Sequence, residues 1–334
     1  MADSLSIFYN TALNITAVGS IITKCTALYF VIRHTPKKMR YFSHFIIDEM
    51  GWNLAGNLLY TVAHPIPMMP AECFRMDGLI GGKFPQDAGG RVVITCIMLT
   101  VVNCAIGIFL SFQFRYMSIA YGHRLAKIKP YWGYLYCVLV HLVLSVPCVY
   151  VIPNWSINVA DYPDKPQIPR TERLFCFNPK GPEKIAALSF LFAVFLFAVI
   201  SLIVFTTLCF RHLKLNVLFI EFETAKLQKS LLGGLVILSA IPVVMGGIPL
   251  MIAIFFVGMK DWSYSREIAV ICIVIILNHG TIYGVTTLLL FKAYRYQIRI
   301  MLVKVANKFV YARNQQSLSK LLLCYRGGTV ASSH

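Results

Sequence analysis

Seven long apolar runs decide what this chain can fold into. They cover roughly residues 12–32, 42–64, 91–118, 131–152, 184–210, 230–257 and 267–290, each bounded by charges or by Pro/Gly-rich sequence. A bilayer's hydrocarbon core is about 30 Å thick, so a helix rising about 1.5 Å per residue needs about 20 mostly apolar residues to cross it. The runs have that length and lack the strict alternation of barrel strands. Helices satisfy every backbone polar group within one segment, as lipid demands. Composition agrees, with 13% charged and 57% hydrophobic residues among 334 and a mean hydropathy of +0.67. The expected fold class is all-α: a seven-transmembrane helix bundle over residues 1–290, then a cytoplasmic segment over 291–334.

The second run carries Asp48 and Glu49, and the sixth is broken by Pro242, Gly246, Gly247 and Pro249. Neither removes a span, since neighbouring helices satisfy what a kink exposes. No cleavable leader is expected, because residues 1–10 carry one acid and no base. Twenty of the 31 Lys and Arg residues fall in the first, third and fifth loops and the tail, ten fall on the other side, and Lys24 lies inside the first run. Ten of the 14 acids lie on the cation-poor side. By the positive-inside rule the amino terminus faces out and the tail faces the cytoplasm. The net charge of +17 is therefore mostly an asymmetry across the membrane. Its cations are scattered between spans rather than gathered on one face, which argues against a nucleic-acid partner.

Seven of the ten cysteines lie within apolar runs, where they read as small packing residues. Cys73 and Cys176 fall in segments that would face an oxidising exterior, where a disulfide between them would pin the long outer loop over the bundle; Cys96 is the competing partner for Cys176. Of two glycosylation sequons, Asn154-Trp-Ser156 falls in the long outer loop and Asn14-Ile-Thr16 near the start of the first run. No Cys-x-x-Cys or His/Cys cluster calls for a metal or other cofactor. The motifs of intramembrane hydrolases are absent. His44 and Asp48 stand one helical turn apart, without a third ligand in sequence. The internal repeat expected of a transporter is also absent.

After the seventh run the chain reads Phe291-Lys-Ala-Tyr-Arg-Tyr-Gln-Ile-Arg299. Tyr294, Arg295 and their neighbours are expected to anchor at the headgroup level. Ile298, Met301, Leu302, Val305 and Phe309 recur at helical spacing, the pattern of an amphipathic helix on the inner leaflet. At the end of the third run stands Gln113-Phe114-Arg115-Tyr116-Met117. Its Arg-Tyr pair resembles the acidic-Arg-Tyr signature of rhodopsin-like receptors, with Phe114 in the place of the acid. Ala293-Tyr294-Arg295 resembles a Pro-Tyr-Arg ending after the seventh helix. With His34-Thr-Pro-Lys-Lys-Met39 in the first inner loop and Pro65-Ile-Pro-Met-Met-Pro70 beyond the second run, the chain resembles the nematode serpentine chemoreceptors of the Str superfamily, most like class H or class I.

The resemblance implies a GPCR-like bundle that is not an enzyme. Such a receptor sits in the plasma membrane of sensory neuron cilia, binds a small environmental or pheromone molecule between the outer halves of its helices, and activates a heterotrimeric G protein. Arg115 and Tyr116 would form the coupling switch, with Asp48 or Glu49 supplying the missing counter-charge at the inner face. Pro242, Gly246, Gly247 and Pro249 would form a hinge in the sixth helix. Inner-loop cations would meet membrane lipid. Two alternatives stand beside this reading: a ligand-gated cation channel of the seven-helix odorant-receptor type, and a non-signalling membrane scaffold.

Overall fold

Helix α1, Ser4–His34, continues well beyond its apolar run. Its 31 residues span about 46 Å at the α-helical rise, more than a bilayer core requires. The extra turns rest on protein: Tyr9 is fully buried and its hydroxyl donates to the Pro65 carbonyl at 2.9 Å. The computed structural model describes residues 4–79, 86–125, 127–163, 174–215, 222–259, 262–308 and 311.

The further helices are α2 (Arg40–Ala63), α3 (Gln86–Ala120), the short α4 (Gly122–Leu125), α5 (Pro130–Trp155), α6 (Pro182–Leu215), α7 (Phe222–Ile241), α8 (Ile248–Gly258) and α9 (Ser265–Leu290). A π-helical segment, Pro242–Gly247, joins α7 to α8, and α10 follows over residues 292–308. Six helical stretches are long and apolar enough to cross a membrane among the described residues, with α7 and α8 counted as one. The other helix of comparable length, α2, carries Arg40, Asp48 and Glu49. It packs between α1 and α3 and against α9. Glu49, Asn53 and Asn57 are buried there, so these three polar side chains do not face lipid.

A small antiparallel sheet covers one end of the bundle, in the order β1 (Pro65–Pro67), β2 (Cys73–Met76), β4 (Leu174–Phe177), β3 (Ser156–Ile157). The proline-flanked β1 lies at the edge, where a missing N–H costs no ladder bond. The chain enters it through His64, which ends α2 with a left-handed backbone, φ 45° and ψ 58°. The imidazole of His64 meets the Asn10 side-chain oxygen at 3.0 Å. At the other end of the bundle one apolar cluster joins α1, α2, α3, α6, α7 and α9 around Phe42, Phe112, Leu232 and Tyr294. A second cluster under the sheet includes Ile97, Trp155, Phe175 and Ala187. Leu142, Val143, Val146, Ile200 and Ile203 point outward from α5 and α6, a lipid-compatible belt.

Candidate functional site

The sheet is a roof over a cavity. Cys73 pairs with Cys176 across β2 and β4, and the two are joined by a disulfide. Trp155 stacks on Phe177 with ring centroids 4.1 Å apart, tying the end of α5 to β4. At Gly90 of α3 a Cβ would lie 2.7 Å from the Phe175 ring, so only glycine lets β4 sit this close. Beneath lies a cavity of about 120 Å³. Its wall includes Tyr60 of α2, Val101 of α3, Ile152 of α5, Leu188 of α6, Ala253 of α8 and Ile276 of α9. Glu72 is the charged side chain in this wall. Its Oε1 accepts from Lys184 Nζ at 2.6 Å.

Below the cavity runs a layer of buried polar groups. Lys24 of α1 is fully buried and reaches the Asn53 carbonyl at 3.4 Å. Asn53 Nδ2 lies 2.6 Å from His279 Nε2, while His279 Nδ1 bonds the Ile276 carbonyl. The carbonyl accepts, so Nδ1 carries the proton and Nε2 accepts from the amide. Asn57 donates to Ser20 Oγ at 2.7 Å and to the Leu277 carbonyl at 3.0 Å. Tyr283 donates to Glu49 Oε2 at 2.9 Å.

Across α3, Asn103 donates to the Leu99 carbonyl and to Ser145 Oγ, which fixes its amide orientation. His141 Nδ1 therefore donates to Asn103 Oδ1 at 2.5 Å, while Nε2 lies 3.2 Å from Asp48 Oδ2.

The end of the bundle opposite the sheet holds Arg115. It is 9% exposed, and its Nη2 donates to the Gln228 carbonyl of α7 at 2.9 Å. The Arg115 Nε and the Gln228 Oε1 are both buried without a hydrogen-bond partner. Phe114 packs on Phe45 of α2 with centroids 5.0 Å apart. Tyr116 meets Phe205 of α6 and Tyr121 at 6.0 and 6.2 Å.

The family described as serpentine type 7TM GPCR chemoreceptor Srh matches residues 4–304. The chain belongs to the Srh serpentine chemoreceptor family. It is therefore a seven-helix membrane receptor of chemosensory type and not an enzyme. Curated proteins give no match.

Several expected placements change in this Srh receptor. Asp48 and Glu49 are not at the end of the bundle with Arg115. A Cβ on Gly107 would lie 3.1 Å from Asp48 Oδ2, which sets that carboxylate level with Gly107, about 12 Å along α3 from Arg115. The two acids bond His141 and Tyr283 instead, and Arg115 is held by a backbone carbonyl. Tyr294, expected as a membrane anchor, is fully buried against the protein, so its ring does not face lipid. Its ring packs on Phe291 and its hydroxyl bonds Thr35 at 2.8 Å, so the first turn of α10 locks onto α1. Burial raises the Tyr294 phenol above its ordinary pKa. Arg295 and Tyr296 stay exposed beside it. Asn154 lies exposed in the last turn of α5 rather than in a loop, because that helix continues to Trp155. Phe309 lies outside the described residues.

Pro242, Gly246 and Gly247 form the π-helical segment, and Pro249 opens α8. A Cβ on Gly247 would stand 2.4 Å from the Phe195 ring, so that glycine admits a close approach of α6. Sequence reasoning left Lys24, Asn53, Asn57, Asn103, His141, His279 and Tyr283 out of the site. Their only signal was a polar side chain inside an apolar run, which in a membrane helix points inward by default.

Proposed function

We propose that this receptor takes a small extracellular molecule into the cavity under the sheet and answers by activating a cytoplasmic heterotrimeric G protein. One observation carries the reading: an apolar cavity bounded by six helices, roofed by the disulfide-linked sheet, at the opposite end of α3 from Arg115. Val101 in the cavity wall and Arg115 are separated by about 21 Å along that helix. Ligand and G protein would thus communicate by a shift between two arrangements of the bundle, each stabilised by its own partner. The polar layer of Asn103, His141, Asp48, Glu49 and Tyr283 lies between them. The π-helical segment supports a hinge role for Pro242, Gly246, Gly247 and Pro249, since α-ladder irregularities let half-helices move. The cation count supports an orientation with the sheet outside and Arg115 inside, and the family supports a plasma-membrane receptor of sensory neuron cilia.

The test is a screen of small, weakly polar compounds on cells expressing the full chain, read as G-protein activation. Ala253→Phe fills the cavity and is expected to silence the active compounds at unchanged surface level. An undiminished response in that variant would sink the cavity as the ligand site. An amino-terminal epitope reached by antibody only after permeabilisation would overturn the orientation.

A further inference from the structure

Two helices share the cavity wall without packing along each other. Among the described residues α6 packs on α3, α5 and α7, and α8 packs on α9 and the π-helical segment, but α6 and α8 form no such pair. Both nevertheless line the cavity, α6 with Leu188 and α8 with Leu250, Ala253, Ile254 and Val257. The four α8 residues stand at i, i+3, i+4 and i+7, one face of a helix, and Gly247 continues that face one turn further from the sheet. At Gly247 the two sides do meet, because the Phe195 ring of α6 sits where its Cβ would be. Phe195 lies about 20 Å from the sheet end of α6, and Gly247 about 16 Å from the sheet end of α8. That contact therefore falls near the middle of a hydrocarbon core about 30 Å thick. Between it and the sheet, the side of the bundle has a gap that faces lipid.

Resting on the reading of this cavity as the ligand site, we infer that its ligand enters from the bilayer through the gap between α6 and α8, and is a neutral, hydrocarbon-rich molecule that dissolves in lipid. The other walls offer no equal path. Ile94 and Ile97 of α3, Ile152 of α5, and Cys73 and Phe177 of the roof are no more than 4% exposed. Leu188 and all four α8 residues are half-buried, so α8 brings no fully covered side chain to the wall. The roof itself is held by the disulfide and by the stacking of Trp155 on Phe177. An apolar molecule leaves water for the leaflet and is thereby concentrated beside the gap. An ion would lose its hydration first in the lipid and again in the apolar cavity. Size follows from the volume: about 120 Å³ is slightly below the roughly 150 Å³ apolar cavity that binds benzene in another protein.

The experiment uses the full chain in lipid nanodiscs with fluorobenzene as probe, and fluorine NMR exchange spectra give its association and dissociation rates. Two substitutions alter the gap and leave the lining residues untouched. Phe192→Trp narrows it: Phe192 follows Leu188 by four residues, on the same helix face, and is 47% exposed. Phe195→Ala widens it by removing the ring seated on Gly247. Both rates are expected to fall about tenfold in the first variant and to rise in the second, with affinity unchanged, as for a barrier altered on the path alone. Leu142→Trp, on the exposed face of α5, serves as the control and should exchange like the native chain. Rates unmoved by both gap variants, or slowed as much by Leu142→Trp, overturn the route. A changed affinity with only one rate altered also overturns it, since the two rings would then belong to the wall. Benzylammonium binding as tightly as fluorobenzene overturns the ligand class. In each of those cases Ala253→Phe still abolishes fluorobenzene binding and the cavity reading stands. Absence of fluorobenzene binding, or binding indifferent to Ala253→Phe, overturns the cavity reading together with the inference.

Discussion

Gly280 of α9 has no room for a side chain. A Cβ there would lie 1.6 Å from Asn53 Oδ1 and 2.3 Å from Asn53 Cγ. Asn53 cannot simply swing away, because its amide is held by His279. Gly280→Ala is therefore expected to lower stability by about 1–3 kcal/mol, the range for overpacked sites, seen as a lower melting temperature of the full chain. Adding Asn53→Ala restores space, so the double variant should be more stable than the sum of the two single losses. Additive losses would show that the contact is not the cause. Tyr283→Phe tests the neighbouring pair. It removes the donor to a Glu49 carboxylate that is 5% exposed, and a loss of about 1–3 kcal/mol is expected from the same melting measurement. An unchanged melt would show that Glu49 does not depend on that phenol. None of these pairings was legible in sequence. Lys24, Asn53 and His279 belong to three helices, and spacing along one run reports which face a residue occupies but not who stands opposite.

At the scale of elements, the spans were legible and the roof was not. Membrane helices announce themselves because bilayer thickness and backbone satisfaction act on every residue of a run. The sheet has strands of two to four residues, and Cys73 finds Cys176 at a sequence separation of 103. No local pattern encodes such a pairing, which is why the sequence left Cys96 as a rival; Cys96 is instead a free thiol. Bridging residues that far apart restricts the unfolded chain by about 4–5 kcal/mol in the loop-entropy description. Cys73→Ser/Cys176→Ser should therefore melt lower than the native chain, and reductant should lower the native melt but leave the variant's unchanged. Because the roof also closes the cavity, the variant should respond more weakly to the compounds found active in the cell screen. Native melting in the variant would mean that the strands, with Trp155 on Phe177, hold the roof alone.

For the molecule as a whole, the departure from the acidic-Arg-Tyr pattern has a structural counterpart. Phe114 occupies the place of the acid and spends itself on packing against Phe45, so Arg115 turns to α7 and donates to the Gln228 carbonyl. In this arrangement α3 and α7 are held by a cation on a backbone oxygen and by the apolar cluster around Phe112 and Leu232. A guanidinium with an unpaired Nε is a weak latch, because its burial cost offsets much of what the bond contributes. If the inner half of the sixth span moves to admit a G protein, this latch opens. Arg115→Met keeps the apolar bulk and deletes the bond. The expected outcome is higher ligand-independent G-protein activation at unchanged surface level, with the ligand response retained. An unchanged basal level would show that the latch does not hold the resting state. Loss of all signalling at normal surface level would assign Arg115 to contact with the G protein rather than to the latch.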